Sequence, residues 1–98
     1  MVKCHTMQEV RREIDRIDRA LVKLLAERLT YIEQAGVIKG DRNTVRDEDR
    51  IEDVVEKVVR EGEAQGLPRS MAEPLWRMLI EKSIDHEFTV FDAKKRTA

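Results

Sequence analysis

A single cysteine, Cys4, excludes an internal disulfide framework, and with only two histidines, His5 and His86, set far apart, no zinc ligand set can be assembled. The absence of a disulfide framework favours a reducing compartment. No apolar run reaches the length of a membrane span, and no apolar core of a signal peptide follows the first residues, so we expect a soluble, cytoplasmic protein. Charge of one sign is also missing. The 19 basic and 20 acidic side chains leave a net charge of −1, which provides no global field to recruit nucleic acid or an anionic membrane. Any anion must be recognised locally, by a few placed cations. Aromatics make up only 4% of the residues while charged side chains make up 40%, a balance of solvated helices rather than a β-sandwich. With two prolines and four glycines, long stretches run without a helix breaker. There is no internal repeat and no strand signal.

What is present is helical periodicity, three times over. Residues 1–6 form a short disordered lead. From Gln8 to about Lys39 apolar residues recur at spacings of three and four, interrupted by no proline and by one glycine, Gly36. Thr6 is the expected N-cap, with Glu9 completing a capping box. A helix of ~32 residues is ~48 Å long, whereas a 98-residue domain has a radius of gyration of ~13 Å. Such a helix overhangs the core of one chain, and a second copy is the economical cover. Gly40-Asp41-Arg42-Asn43-Thr44 is a loop whose composition argues against a fixed conformation without ligand. A second helix is predicted from near Asp47 to about Gln65, with Ile51, Val54, Val55, Val58 and Val59 on its apolar side and Gly66 ending it. A third runs from about Ser70, an expected N-cap with Glu73 in a second capping box, to Phe91, with Pro74 in its first turn. Residues 92–98 read as a frayed basic tail, so the domain proper is 7–91. The fold class is all-α, with a very long first helix and two shorter ones.

Two of the apolar stripes are interrupted by polar groups. The first reads Val10, Ile14, Ile17, Leu21, Leu24, Arg28, Tyr31, Ala35 and Ile38; the last reads Ala72, Leu75, Trp76, Leu79, Ile80, Ser83, Ile84, Glu87, Phe88 and Phe91. A charge on a core-facing stripe needs a partner, because an unpaired buried charge costs several kcal/mol. Arg28 and Lys39, eleven residues apart, return to within ~20° of each other on the first helix. Arg11 is ~100° away from Arg28 and is better placed to serve the site of a partner chain. Asp47 and Arg50, at i and i+3, share a face, as do Ser83 and Glu87 at i and i+4. Three cations (Arg28, Lys39, Arg50) and three polar partners (Asp47, Ser83, Glu87) suit a small dicarboxylate carrying hydroxyl or ether oxygens. The plainer readings carry weight too. Arg12, Arg16, Arg19 and Lys23 form a solvated face, Tyr31 and Trp76 are core, His86 is a surface histidine, and Arg28 is as readily a snorkelling side chain. Periodicity alone serves a polar dimer seam nearly as well as an active site.

The run Val10-Arg11-Arg12-Glu13-Ile14-Asp15-Arg16-Ile17-Asp18, then Leu24-Leu25-Ala26-Glu27-Arg28, resembles the first helix of the all-helical chorismate mutases. Lys39, Val45-Arg46-Asp47-Glu48-Asp49-Arg50 and Leu79-Ile80-Glu81-Lys82-Ser83 continue the resemblance in register, over roughly residues 7 to 91. It implies an intertwined homodimer of three-helix chains that rearranges chorismate to prephenate with no metal or organic cofactor. Arg28 and the partner chain's Arg11 would clamp the substrate carboxylates, and Lys39 would bind a carboxylate and donate to the ether oxygen. Asp47 would orient the site and the substrate hydroxyl, Arg50 would support the pocket, and Ser83 would contact the ring carboxylate. Two positions depart from the family's commonest pattern. Glu87 stands where a Gln is frequent, and it can serve the ether oxygen only when protonated, a state that burial and a neighbouring dianion favour. Ile51 stands where many mutases carry a Glu that bonds the substrate hydroxyl. The related isochorismate pyruvate lyases have an apolar residue near this position, so that activity is the alternative, and a mutase acting on the 4-amino analogue of chorismate is a third. From other classes, a non-catalytic helical dimerisation module remains open, and a nucleic-acid-binding domain is disfavoured by acids interleaved with the bases.

Overall fold

The computed structural model describes residues 2–96, and two compact units, Met1–Tyr31 and Ile32–Ala98, divide the chain. The elements are three helices, α1 (Met7–Ile38), α2 (Glu48–Gln65) and α3 (Arg69–Arg96), with a 3₁₀ turn at Arg42–Thr44. The boundary between the units falls within α1.

In the N-terminal unit, residues 2–6 precede the helix without regular structure. Thr6 caps α1 as its chemistry predicts: its Oγ1 accepts from the Glu9 N–H at 3.1 Å. The Glu9 carboxylate turns back one residue further than a standard box, accepting from the N–H of His5 at 2.8 Å. Arg12, Arg16, Arg19 and Lys23 are exposed, as expected of a solvated face. The apolar stripe is not a core within this chain. Ile14, Ile17, Leu21 and Leu24 are exposed, and Tyr31, read from the sequence as core, is 63% exposed. Periodicity reports that a face is apolar; it does not say what, if anything, covers it.

The second unit holds the buried core. Val45, Ile51, Val55, Val59, Ile80, Ile84 and Phe91 form its centre, with Val54, Trp76 and Phe88 packed against them. Each fully buried aliphatic side chain contributes about 1.5–3 kcal/mol, so this cluster, contributed by α2, α3 and the loop residue Val45, is what holds the helical hairpin closed. Asp47 is the N-cap of α2, accepting from Arg50 N at 3.1 Å. Gly66 ends α2 at φ +89°, a left-handed conformation that costs a side-chain-bearing residue dearly. The tight return to α3 depends on Gly62 as well, where an added Cβ would lie 3.1 Å from the Leu67 carbonyl oxygen.

The third helix departs from the sequence expectation at both ends. It starts at Arg69, with the Pro68 carbonyl accepting from the N–H groups of Met71 and Ala72, so Ser70 lies inside the first turn and does not cap. Glu73 pairs with Arg69 at 3.0 Å and with Arg77 at 3.1 Å instead of closing a capping box, and Pro74 falls beyond the first turn. At the other end α3 continues to Arg96, so the tail predicted to fray is helical through 92–96; residues 97–98 lie outside the described residues. Exposed ion pairs join the hairpin. Arg77 takes Glu52 at 2.8 and 2.9 Å, Arg46 takes Glu81 at 2.9 Å twice, and hydrogen bonding to these arginines holds both carboxyls below their ordinary range. Being exposed, each contributes little. Among the described residues no helix is long and apolar enough to cross a membrane.

Candidate functional site

Gly36, buried in the last turns of α1, faces α3 so closely that a Cβ there would lie 3.1 Å from both the Glu87 carbonyl oxygen and Val90 Cγ1. Three residues later the chain leaves the helix at Lys39, whose N–H still bonds to the Ala35 carbonyl at 3.0 Å. That close approach sets the Lys39 ammonium against α3. Its Nζ donates to Glu87 Oε2 at 2.7 Å and to the Val45 carbonyl at 3.4 Å. The Glu87 side chain is 6% exposed and that of Lys39 is 30% exposed. A buried carboxylate thus holds a cation whose other side is open to water, which is the arrangement an incoming anion can exploit. Because Gly36 sets the spacing, we expect Gly36→Ala to push Val90 and the Glu87 backbone outward. Overpacking of this kind costs about 1–3 kcal/mol, and denaturant unfolding beside steady-state kinetics should show stability and turnover falling together.

One turn before Glu87, Ser83 is also buried, its Oγ donating to the Leu79 carbonyl at 2.7 Å. Ile51 is buried in the same cluster as Ile80 and Ile84, so its apolar character serves packing. The expected convergence is therefore partial. Lys39 and Glu87 meet, with Ser83 beside Glu87 on the same inward face of α3. Asp47 is committed to capping α2 and is exposed. Arg50 turns away to Asp53 at 2.7 Å, with its side chain 63% exposed, and does not join Lys39. Arg11, exposed, and Arg28, half-buried, belong to the N-terminal unit.

The composition of the 40–46 loop argued against a fixed conformation, yet it is folded. Asp41 Oδ1 accepts from Asn43 N at 2.9 Å, the Asp41 carbonyl accepts from the Thr44 hydroxyl at 2.6 Å, and Val45 is buried to 3%. An Asx turn and one buried valine are among the contacts that hold it. His86, read as a surface histidine, is 38% exposed at its side chain, with Nε2 2.8 Å from Glu33 Oε2, a partner not foreseen. Sequence reasoning missed Lys94 and Asp92 as well, which reach the end of α1 and the loop after it. The signal was available: Ile80, Ile84, Glu87, Phe91 and Lys94 continue one helical stripe past the point where the tail was taken to begin.

Among the described residues no three His, Cys, Asp or Glu side chains gather as a metal-ligand set. A cavity of about 360 Å³ near the α2–α3 turn, lined by Val58, Leu67 and Trp76 among others, contains none of the expected site residues. Compared with known proteins, the chain matches the family model for chorismate mutase type II over residues 10–88. No curated protein matches it.

Proposed function

The chain belongs to the type II chorismate mutase family, and on that premise we propose that it converts chorismate to prephenate in phenylalanine and tyrosine biosynthesis. The reaction is a [3,3]-sigmatropic (Claisen) rearrangement: one C–O bond breaks and one C–C bond forms within a single molecule, and no group is transferred to the protein. The protein's part is positioning and electrostatics. It holds a flexible dianion in its compact conformer and meets charge developing on the ether oxygen with donors already in place.

The observation that carries this reading is the Lys39–Glu87 pair, a partly open ammonium held at 2.7 Å by a buried carboxylate. Lys39 binds a substrate carboxylate and donates to the ether oxygen; Glu87, protonated in the loaded site, donates from the other side. Arg28 grips the second carboxylate together with Arg11 of a second copy. Ser83 contacts the ring carboxylate, Asp47 orients the substrate hydroxyl from the start of α2, and Arg50 supports the pocket once it leaves Asp53. A homodimer is part of the proposal. It is supported by the exposed stripe Ile14, Ile17, Leu21 and Leu24, which a second copy would bury. A cytoplasmic setting is likewise proposed.

Ile51 favours one other reading. Buried and apolar, it provides no hydrogen bond to a substrate hydroxyl, as in an isochorismate pyruvate lyase, which uses a similar cationic cage to release pyruvate and leave salicylate. Parallel assays with chorismate and isochorismate separate the two. We expect prephenate from chorismate at the higher kcat/KM; salicylate and pyruvate from isochorismate at the higher value would replace the mutase reading. Silence in both, with no melting shift on adding a dicarboxylate, would leave a dimerisation module, since a ligand that binds the folded state raises its stability by mass action.

A further inference from the structure

Lys94 acts on the end of α1 from across the hairpin. The last turn of α1 contains no basic residue of its own, and the Lys39 that follows turns its ammonium to Glu87, so its terminal carbonyls carry partial negative charge with no cation from within the turn. The cation comes from α3. Lys94 Nζ donates to the Val37 carbonyl at 2.9 Å and also to the Lys39 carbonyl. It is seated on a firm platform, 4.3 Å from the ring centroid of Phe91, which is fully buried. Asp92 makes a parallel connection to the following loop. It receives Arg42 Nε at 3.0 Å and the second guanidinium nitrogen at 3.3 Å, and Arg42 lies 4.4 Å over the ring of Phe88. Both contacts fall on the stretch between Val37 and Val45, which carries Lys39 and the Val45 carbonyl to which Lys39 also donates. Both originate at positions 92 and 94, past the end of the family match at residue 88.

We propose that the C-terminal turns of α3 are a positioning element for Lys39, with Lys94 holding the backbone that bears it and Asp92 holding the loop that follows. The inference rests on the mutase reading, in which Lys39 touches the substrate. Lys39 follows the last residue of a helix, where backbone frays, and its side chain has four rotatable bonds. Clamping the carbonyls of Val37 and Lys39 removes the backbone part of that freedom and leaves Glu87 and Val45 to fix the head. A displacement of about 1 Å in such a group can cost on the order of 10²-fold in rate. A cation that merely caps α1 would change stability and leave turnover alone.

The test uses the full chain, with Lys94→Met, Lys94→Arg and Asp92→Asn compared by steady-state kinetics on chorismate and by amide hydrogen exchange. Methionine keeps most of the aliphatic reach but removes the ammonium, and with it the carbonyl bonds and the cation over Phe91. We expect Lys94→Met to lower kcat by about tenfold or more with KM changed far less, and Lys94→Arg to recover most of the loss. Asp92→Asn should give a smaller loss. Amides from Lys39 to Val45 should exchange faster in Lys94→Met while those of α2 do not change. A Lys94→Met kcat within about twofold of the parent overturns the proposal, and so does a loss accompanied by faster exchange throughout α2 and α3. If Lys94→Met does not fold, the arginine and asparagine variants decide, since parent-like turnover in Asp92→Asn together with lost turnover in a folded Lys94→Arg has no place in the proposal. If the parent itself makes no prephenate, the mutase reading fails on its own account. Exchange at residues 39–45 then still reports the positioning, and an unchanged profile in Lys94→Met removes it.

Discussion

Lys39→Met is expected to lower kcat/KM for chorismate by at least about 10²–10³-fold, the usual cost of removing one preplaced donor from a developing oxyanion. Because Lys39 is proposed both to bind a carboxylate and to serve the ether oxygen, KM should rise as kcat falls. A rise in KM alone would mean that Lys39 grips ground state and transition state equally and takes no special part at the ether oxygen. The same substitution has a separate stability signature. It leaves the Glu87 carboxylate, 6% exposed, without the ammonium that now sits 2.7 Å away. Breaking a fully buried pair costs about 3–5 kcal/mol, but the 30% exposure of Lys39 lets water reach this one, so about 1–3 kcal/mol is the expected loss. Adding Glu87→Gln to Lys39→Met removes the stranded charge. The double variant should therefore unfold at higher denaturant than Lys39→Met alone while remaining just as inactive. Equal midpoints for the two would show that Glu87 carries no stranded-charge penalty once Lys39 is gone.

Much of this arrangement was legible before any coordinates. The spacing of Ile51, Val55 and Val59 against Ile80, Ile84 and Phe91 placed the hairpin core, and those are the residues found buried. Asp47 and Gly66 marked the ends of α2 through chemistry that is local and nearly deterministic: an N-cap carboxylate and a left-handed glycine. Ser70 failed for an instructive reason. A good capping side chain loses to a proline two residues earlier in the competition for the helix start, because Pro68 already presents its carbonyl to Met71 and Ala72. The site was half legible. Glu87 on an apolar stripe announced a buried partner, and Lys39 is that partner. Arg50 was read by register alone, and register does not say whether a long side chain turns inward or finds the nearest exposed acid, here Asp53. The tail was misjudged on composition: Asp92 and Lys94 looked like solvent-facing charge, yet their partners, Arg42 and the end of α1, are fifty or more residues away in sequence. Tyr31 and the α1 stripe illustrate a different limit. Their spacing marks an apolar face, but the reading of Tyr31 as core fails at 63% exposure, because spacing does not say what covers a face.

Glu87→Gln should change the pH profile more than it changes the maximum rate. In the ligand-free chain Glu87 accepts from Lys39 at 2.7 Å, which requires an acceptor and suits the carboxylate. The proposed reaction asks for the opposite. As the C–O bond breaks, negative charge grows on the ether oxygen; a carboxylate beside it repels that charge, and a carboxylic acid donates to it. Arrival of a dianion supplies the reason for a change of state. Its carboxylate takes over the Lys39 ammonium and adds negative charge beside Glu87, where an acid can donate to the ether oxygen and a carboxylate cannot. The sign follows directly. If the competent form is the one carrying the proton, parent kcat should fall as pH rises, by about tenfold per unit once that proton is lost. The glutamine amide donates at every pH, so the variant should be flat over the same range and overtake the parent on the alkaline side. Profiles of kcat from pH 5 to 9 for both proteins, with circular dichroism to confirm folding throughout, decide the matter. Superimposable profiles would mean that the residue facing the ether oxygen is not Glu87, and that its pairing with Lys39 serves only to hold the ammonium in place.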